Sequence, residues 1–184
     1  MKPTEDLIHE HKAIKIMLGI MAKIAENLTK AKSFDVNEID KIVVFLKIFA
    51  DKCHHSKEEN VLFPALIAAG IQKENGPVGV MLHEHVLGRE YIKDINDGAE
   101  SYKSGNVAAT QTIASAMFKY VTLLNNHIQK ENNILFPMAD RTLSEAKQDE
   151  IYLQFEKIEE DIVGHGVHEQ YHELLNQLED KYLN

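Results

Sequence analysis

Two segments of this 184-residue chain carry a histidine and a glutamate with identical spacing. His54 precedes Glu58 by four residues, and His127 precedes Glu131 by four residues. Leu-Phe-Pro follows each pair, and the second copy lies 73 positions after the first (54 to 127). Residues four apart project from the same face of an α-helix. Imidazole and carboxylate groups that share a face are typical ligands of a metal ion.

A second repeat precedes each of these pairs. The segment LIHEH ends at His11 and the segment MLHEH ends at His85, which is 74 positions later (11 to 85). The four segments therefore follow one another as a helical hairpin that occurs twice. The recurring polar residues predict one metal site with six ligands, which are His11, His54, Glu58, His85, His127 and Glu131.

The apolar residues recur at intervals of three and four, which predicts an all-α fold. We expect helices over about 4–29, 35–69, 75–103 and 107–140, and a fifth over about 143–182 with a candidate break at Gly164-His165-Gly166. Because the loops are short, the first four helices are predicted to form an up-down-up-down bundle over about 4–140. The additional C-terminal helix would complete a single domain over 1–184.

The predicted ligands replace apolar residues on the inner faces of these helices. Burying six titratable groups without compensation would cost several kcal/mol each, and bound cations would offset that cost. Each glutamate can bridge two metal ions, so that each metal receives two nitrogens and two carboxylate oxygens. An oxo or hydroxo bridge adds a fifth ligand and leaves about one open position on each metal. This ligand set suits two iron ions, with manganese or zinc as alternatives.

Composition excludes several other classes of function. A net charge of −9 argues against a nucleic-acid partner and against an anionic membrane surface. No stretch has transmembrane length, no signal peptide is recognisable, and a single cysteine cannot form an internal disulfide, so we expect a cytoplasmic protein. That cysteine, Cys53, has Asn126 as its repeat counterpart, and we interpret it as a buried packing residue rather than a ligand.

The order H…HxxxE…H…HxxxE, together with the Leu-Phe-Pro motifs, resembles the hemerythrin-like (HHE cation-binding) domain family over about 4–140. The resemblance implies a four-helix bundle with a non-haem di-iron centre. Hemerythrin proper differs, because it has a fifth histidine and one aspartate bridge. The iron-centre repair and nitric-oxide-stress branch of the family uses the same four histidines and two glutamates. That branch also carries an N-terminal cysteine-bearing domain, which the sequence does not predict here.

Several residues near the motifs are predicted to lie outside the ligand set. His9 and His83 also repeat, but each is two positions from a ligand, which is about 200° around a helix. We therefore expect them at helix seams or on the surface. His55 has Ile128 as its repeat counterpart, so we place it no closer than the shell outside the ligands. We place Glu59 there as well, because its counterpart is Asn132.

The predicted C-terminal helix carries two more histidines, His168 and His172, in the spacing HExxH. This is the motif of zinc proteases, but the sequence predicts neither a third ligand nor the strand that usually borders a substrate cleft. The simpler interpretation is that both residues pack the helix on the bundle. A further hypothesis is that His168 reaches the site as a fifth histidine ligand.

The number of histidines decides the chemistry of such a centre. With four, both metals keep an open position, whereas with five only one does. Our first interpretation is a soluble di-iron protein that binds or senses O2 or a related small ligand. The alternatives are a di-iron enzyme that removes peroxide or nitric oxide, and an iron storage or donor protein. The sequence identifies no redox partner and does not decide whether the protein is an enzyme.

Overall fold

The computed structural model describes residues 1–162 and 167–184, and for residues 167–169 it describes the backbone alone. All regular structure in these ranges is helical, which confirms the all-α prediction. Three segments are π-helical, namely π1 (Leu46–His55), π2 (Glu58–Leu62) and π3 (Glu131–Leu135). The α-helices are α1 (Pro3–Thr29), α2 (Val36–Phe45), α3 (Phe63–Ala68), α4 (Pro77–Lys103), α5 (Ala109–Lys130), α6 (Phe136–Thr142), α7 (Glu145–Ile162) and α8 (Val167–Tyr182).

Four long helices form the predicted up-down-up-down bundle. The segments from α2 to α3 run on without interruption as the second bundle helix, and those from α5 to α6 run on as the fourth. Lys2 at the start of α1 bonds Asp140 near the end of the fourth helix, over 2.9 Å. Lys103 at the end of α4 bonds Asp40 near the start of α2, over 2.7 Å. Both contacts join the start of one helix to the end of another, as antiparallel packing requires.

The additional C-terminal part contains two helices, α7 and α8, where the sequence predicted one with a candidate break. The proposed break at Gly164-His165-Gly166 lies outside the described residues. Helix α7 packs against α1 and against the π-helical part of the second bundle helix, and α8 packs against α1. Among the helices described, none combines the length and the apolar character that crossing a membrane would need.

Two apolar clusters divide the interior of the bundle. The first includes Ile14 to Leu28 of α1 and Ile92 to Ala99 of α4. The second includes Leu7 of α1 and Val78 and Met81 of α4. The predicted ligands of these two helices stand between the two clusters, and those of the second and fourth helices stand at the same level. Burial of the apolar faces on both sides therefore holds the polar residues at one level of the bundle.

Candidate metal centre

The structure brings all six predicted residues together in the middle of the bundle. Each of them is at most 1% exposed. The four histidines form two pairs. The Nε2 atoms of His11 and His54 lie 3.1 Å apart, and those of His85 and His127 also lie 3.1 Å apart. Four imidazole nitrogens therefore point into one enclosed space from four different helices.

The two glutamates lie between the two histidine pairs. Glu131 places Oε2 3.2 Å from Nε2 of His11 and Oε1 3.1 Å from Nε2 of His127. Glu58 places Oε1 3.7 Å from Nε2 of His54 and Oε2 3.3 Å from Nε2 of His85. Each carboxylate thus turns one oxygen toward each pair, which is the arrangement that a bridge between two cations requires.

The carboxylate oxygens of Glu58 and Glu131 fit bound cations better than any protein partner. All four are buried, and none meets the geometry of a hydrogen bond with a described residue, although imidazole nitrogens lie 3.1 to 3.7 Å from them. A buried polar atom without a partner costs about 1–3 kcal/mol, and more when it is charged. Native proteins rarely keep four such atoms together. These carboxylate oxygens, together with the four imidazole nitrogens, therefore fit a site that holds metal ions.

The electrostatics of these side chains lead to the same conclusion. Burial, and next the charge of Glu131, raises the pKa of Glu58 well above its usual range. Burial lowers the pKa of His127, but Glu131 and Glu84 more than compensate and raise it to about 9. Glu58 and His127 consequently hold protons at positions where bound cations would lie. Metal binding here has to displace those protons.

Each of the four histidines has its second ring nitrogen fixed by an outer partner. Two of these partners, Glu10 and Glu84, are the central residues of the two HEH motifs, and two others, Glu59 and Asn132, are repeat counterparts. Such partners fix the tautomer, so that the Nε2 lone pair points inward. The Nδ1 contacts are His54 with Glu10 (2.6 Å), His127 with Glu84 (2.9 Å), His85 with Glu59 (2.7 Å) and His11 with Asn132 (2.8 Å).

Two lysines that the sequence interpretation missed bind the HEH glutamates. Lys57 donates from Nζ to Oε1 of Glu10 over 2.6 Å, and Lys130 donates to Glu84. The two lysines are themselves 73 positions apart, and each directly precedes one of the two central glutamates. The recurrence of a Lys-Glu dipeptide was the signal that could have identified them.

Lys57 is fully buried, and it joins the metal centre to helix α7. Its ammonium also donates to Asp6 over 2.8 Å and to Glu159 of α7 over 3.0 Å. Burial lowers the pKa of Lys57, but the carboxylates, Glu10 first, outweigh it and raise that pKa above its usual range. The acidic group of Asp6, Glu10 and Glu159 has the spacing of a cation site. In this protein the cation is the lysine side chain.

The Leu-Phe-Pro motifs also have a role at the centre. Phe63 stacks on His85 with ring centroids 5.9 Å apart, and Phe136 stacks on His11 at 5.6 Å. Both phenylalanines are at most 1% exposed. Each motif therefore supplies a ring that packs on a histidine from a different bundle helix.

His55 is buried beside the predicted ligands, and its placement outside the ligand set stays a prediction. Its side chain is buried, and its ring stacks on that of His85 with centroids 3.8 Å apart. Ligand atoms of His55, Glu58, His85 and His127 all lie within 4.8 Å of one another. The lack of a histidine at its repeat counterpart, Ile128, carried no information about burial. The π1 segment packs more residues into each turn than an α-helix does, and His54 and His55 both reach the interior.

The remaining histidine predictions have mixed outcomes. His9 and His83 are exposed, as predicted. The side chain of His168 is outside the described part of the chain, so its predicted contact with the site is not tested. His172 is exposed, and together with His9 and Asp6 it lines a surface cavity between α1 and α8.

Cys53 should be unreactive while the protein is folded. Its side chain is 1% exposed, and burial raises the pKa of its thiol to about 12. Because the thiolate is the reactive form, a disulfide reagent at pH 8 should detect no thiol in native protein and one thiol after unfolding in guanidinium. Modification of one thiol per native chain within minutes would contradict this assignment. Cys53 also belongs to none of the histidine–carboxylate groups found among the described residues.

Comparison with known proteins identifies related sequences. The model of the hemerythrin HHE cation-binding domain matches residues 2–139. An iron-sulfur cluster repair protein YtfE from Pectobacterium atrosepticum is 35% identical over 91 residues, which cover 48% of this chain and 41% of that protein. YtfE from Edwardsiella ictaluri is 31% identical over 124 residues, which cover 66% and 56%.

A third relative matches more of the chain at lower identity. The uncharacterized protein Mb2018 from Mycobacterium bovis is 23% identical over 159 residues, which cover 82% of this chain and 62% of that protein. The chain thus spans about half the length of the curated relatives that it matches.

Proposed function

The chain belongs to the hemerythrin HHE cation-binding domain family, and from this premise we propose that it is a non-haem di-iron protein that binds or senses O2 or a related small ligand. The observation that carries the proposal is the placement of Glu58 and Glu131, each with one oxygen toward each histidine pair. We further propose that residues 1–184 act as one domain, since α7 and α8 both pack on α1. We place this domain in the cytoplasm, since its single cysteine cannot form an internal disulfide.

The six central residues would hold the two iron ions as two similar sets. His11 and His54 would bind one ion, His85 and His127 the other, and both glutamates would bridge them. Two iron ions in such a centre would supply two electrons and a coordination position for O2, nitric oxide or peroxide.

The protein's own residues would prepare the centre for such a ligand. The outer partners hold each imidazole with Nε2 inward, so that no side chain has to reorganise when a cation binds. Phe63 and Phe136 cover two of the rings and exclude water. A dry, enclosed centre favours a small uncharged molecule such as O2 over a larger or charged one.

Anaerobic loading with ferrous iron, followed by exposure to air, tests the proposal. The loaded protein should contain two iron ions per chain and should develop a visible absorption that disappears when O2 is removed. A Glu131→Ala variant, treated in parallel, should show neither the metal nor the spectrum. Irreversible oxidation with turnover of peroxide or nitric oxide would favour an enzyme instead. Two equivalents of manganese or zinc in protein as isolated would contradict the choice of iron.

A second candidate is an iron donor in the repair of iron-sulfur clusters. It is favoured by the names of the YtfE relatives, although the chain covers only part of their length. Incubating iron-loaded protein with a cluster-free ferredoxin and sulfide distinguishes the two. A donor should lose iron to the ferredoxin within minutes, whereas a binding protein should retain it.

A further inference from the structure

Helix α7 lies outside residues 2–139, which the family model matches, yet it contributes a partner to the residues that hold His54. We propose that Glu159 of α7 is a positioning residue for His54, so that the docking of α7 and the binding of a cation at the centre stabilise each other. This inference rests on the proposed function, because it concerns cations bound at the same centre.

A continuous series of contacts joins the carboxylate of Glu159 to the ring of His54. Glu159 accepts a hydrogen bond from Nζ of Lys57 over 3.0 Å, and the same ammonium donates to Oε1 of Glu10 over 2.6 Å. The other carboxylate oxygen of Glu10, Oε2, lies 2.6 Å from Nδ1 of His54. The side chains between α7 and the centre are almost completely buried, since Lys57, Glu10 and His54 are each at most 5% exposed. Solvent therefore has little access to these contacts.

A cation at His54 would depend on this series of contacts. An imidazole that gives electron density from Nε2 to a metal becomes a stronger donor at Nδ1–H, and loss of the outer group that accepts this bond typically weakens metal binding about ten- to a hundredfold. Glu10 has to stay in place to accept the bond, and the ammonium of Lys57 holds its other oxygen. The position of Lys57 therefore affects how well His54 can bind a cation.

Helix α7 holds the ammonium of Lys57 in the interior. Besides Glu159, this helix contributes Phe155, whose buried ring has its centroid 5.7 Å from Nζ of Lys57. If α7 left the bundle, the ammonium would lose both contacts, and its long flexible stem would let it turn toward water. Glu10 would then lose a donor. A docked α7 thus favours the arrangement of Glu10 and His54 that a cation requires, and by linkage a bound cation favours the docked helix.

The second copy of the repeat lacks the cover that α7 provides to the first. Its lysine, Lys130, binds Glu84, and Glu84 lies 2.9 Å from Nδ1 of His127. The side chain of Lys130 is 35% exposed, whereas that of Lys57 is fully buried. The two halves of the centre therefore have the same series of residues, but only the half that contains His54 is coupled to α7.

A double-mutant cycle on metal affinity tests the inference. The apparent dissociation constant for ferrous iron, measured anaerobically by competition with a chelator, should rise about fivefold in Glu159→Gln. Because Glu159 acts through Lys57, the same substitution in a Lys57→Met background should change that constant by less than about twofold. An equal rise in both backgrounds would show an effect of charge alone and would overturn the positioning role. Glu160→Gln removes an exposed carboxylate of the same helix and should keep the wild-type constant.

Hydrogen–deuterium exchange measures the reciprocal effect and decides the question even if Lys57→Met does not fold. Saturating ferrous iron should slow exchange of the α7 amides (Glu145–Ile162) about fivefold in wild type, because the coupling acts equally in both directions. In Glu159→Gln iron should have less effect on these amides. If wild type bound no iron, the proposed function would fail, and this inference with it. If wild type bound two iron ions without any change in α7, or if Glu159→Gln kept the wild-type affinity, only the role of Glu159 would be overturned.

Discussion

Replacing Glu58 by alanine should release both metal ions together, and replacing Glu131 should have the same effect. Each of these carboxylates has one oxygen within 3.7 Å of a histidine of each pair, so each would be shared by the two ions. Removing one bridge takes a ligand from both ions and leaves them facing each other with less negative charge between them. We expect metal content, measured by mass spectrometry after desalting, to fall from about two ions per chain to below about 0.2.

Two further variants show whether this loss is specific. Glu90 is exposed on α4, so Glu90→Ala should keep both ions. Glu58→Gln keeps the shape of the side chain and, like a protonated Glu58, carries no charge, so its metal-free form should resist denaturant about as well as wild type. Loss of a single ion from Glu58→Ala, with the other retained, would show that this glutamate serves one metal alone.

Replacing Lys57 by methionine should cause a large loss of stability without touching a predicted ligand. The ammonium is fully buried and donates to three carboxylates, of which Glu10 is also buried. Breaking a buried ion pair by removing one partner costs about 3–5 kcal/mol. Because Asp6 and Glu159 are partly exposed and can be solvated, we expect the lower end, about 3 kcal/mol, from urea denaturation at pH 8.

The stability that Lys57→Met loses should depend on pH in a defined direction. The folded protein raises the pKa of Lys57, so its stabilisation is complete below the pKa of the unfolded chain and declines as pH rises through the folded value. In Lys57→Met the cost comes from the buried or partly buried carboxylates that lose the ammonium group. Burial already raises the pKa of Asp6. The difference between wild type and variant should therefore shrink as pH falls from 8 toward 4, where these groups take up protons.

Lys130 provides a matched control, because it is the repeat counterpart of Lys57. It binds Glu84 in the same way, but its side chain is 35% exposed. A partly exposed ion pair contributes about 0–1 kcal/mol, so Lys130→Met should cost no more than about 1 kcal/mol. Equal losses for the two variants would contradict the view that burial under α7 gives Lys57 its importance.

The six central residues and the bundle could be predicted from the sequence because the relevant information is local or repeated. A spacing of four residues fixes two side chains on one helical face, and the interval of 73 positions relates one hairpin to the other. Apolar residues on either side of His11 and His85 fixed the level of the site. These features do not depend on knowing how the helices pack.

His55 and Lys57 could not be predicted in the same way. The burial of His55 depends on π-helical hydrogen bonding in π1. A prediction from residue spacing assumes instead the constant rotation per residue of an α-helix. The full burial of Lys57 depends on α7, which lies about 90 to 100 positions further along the chain. The equivalent Lys130 is not covered in this way, so the repeat itself gives no indication of the difference.

The near-complete burial of the six central residues also has a kinetic consequence. With apolar clusters on both sides and phenylalanine rings over two of the histidines, an ion can enter or leave only when bundle helices separate. Such openings are rare events in a packed helical core. The contents of the centre would then depend on the history of the molecule. Exchange of one metal for another would be slow, so each chain would keep its metals for some time after the surrounding supply had changed.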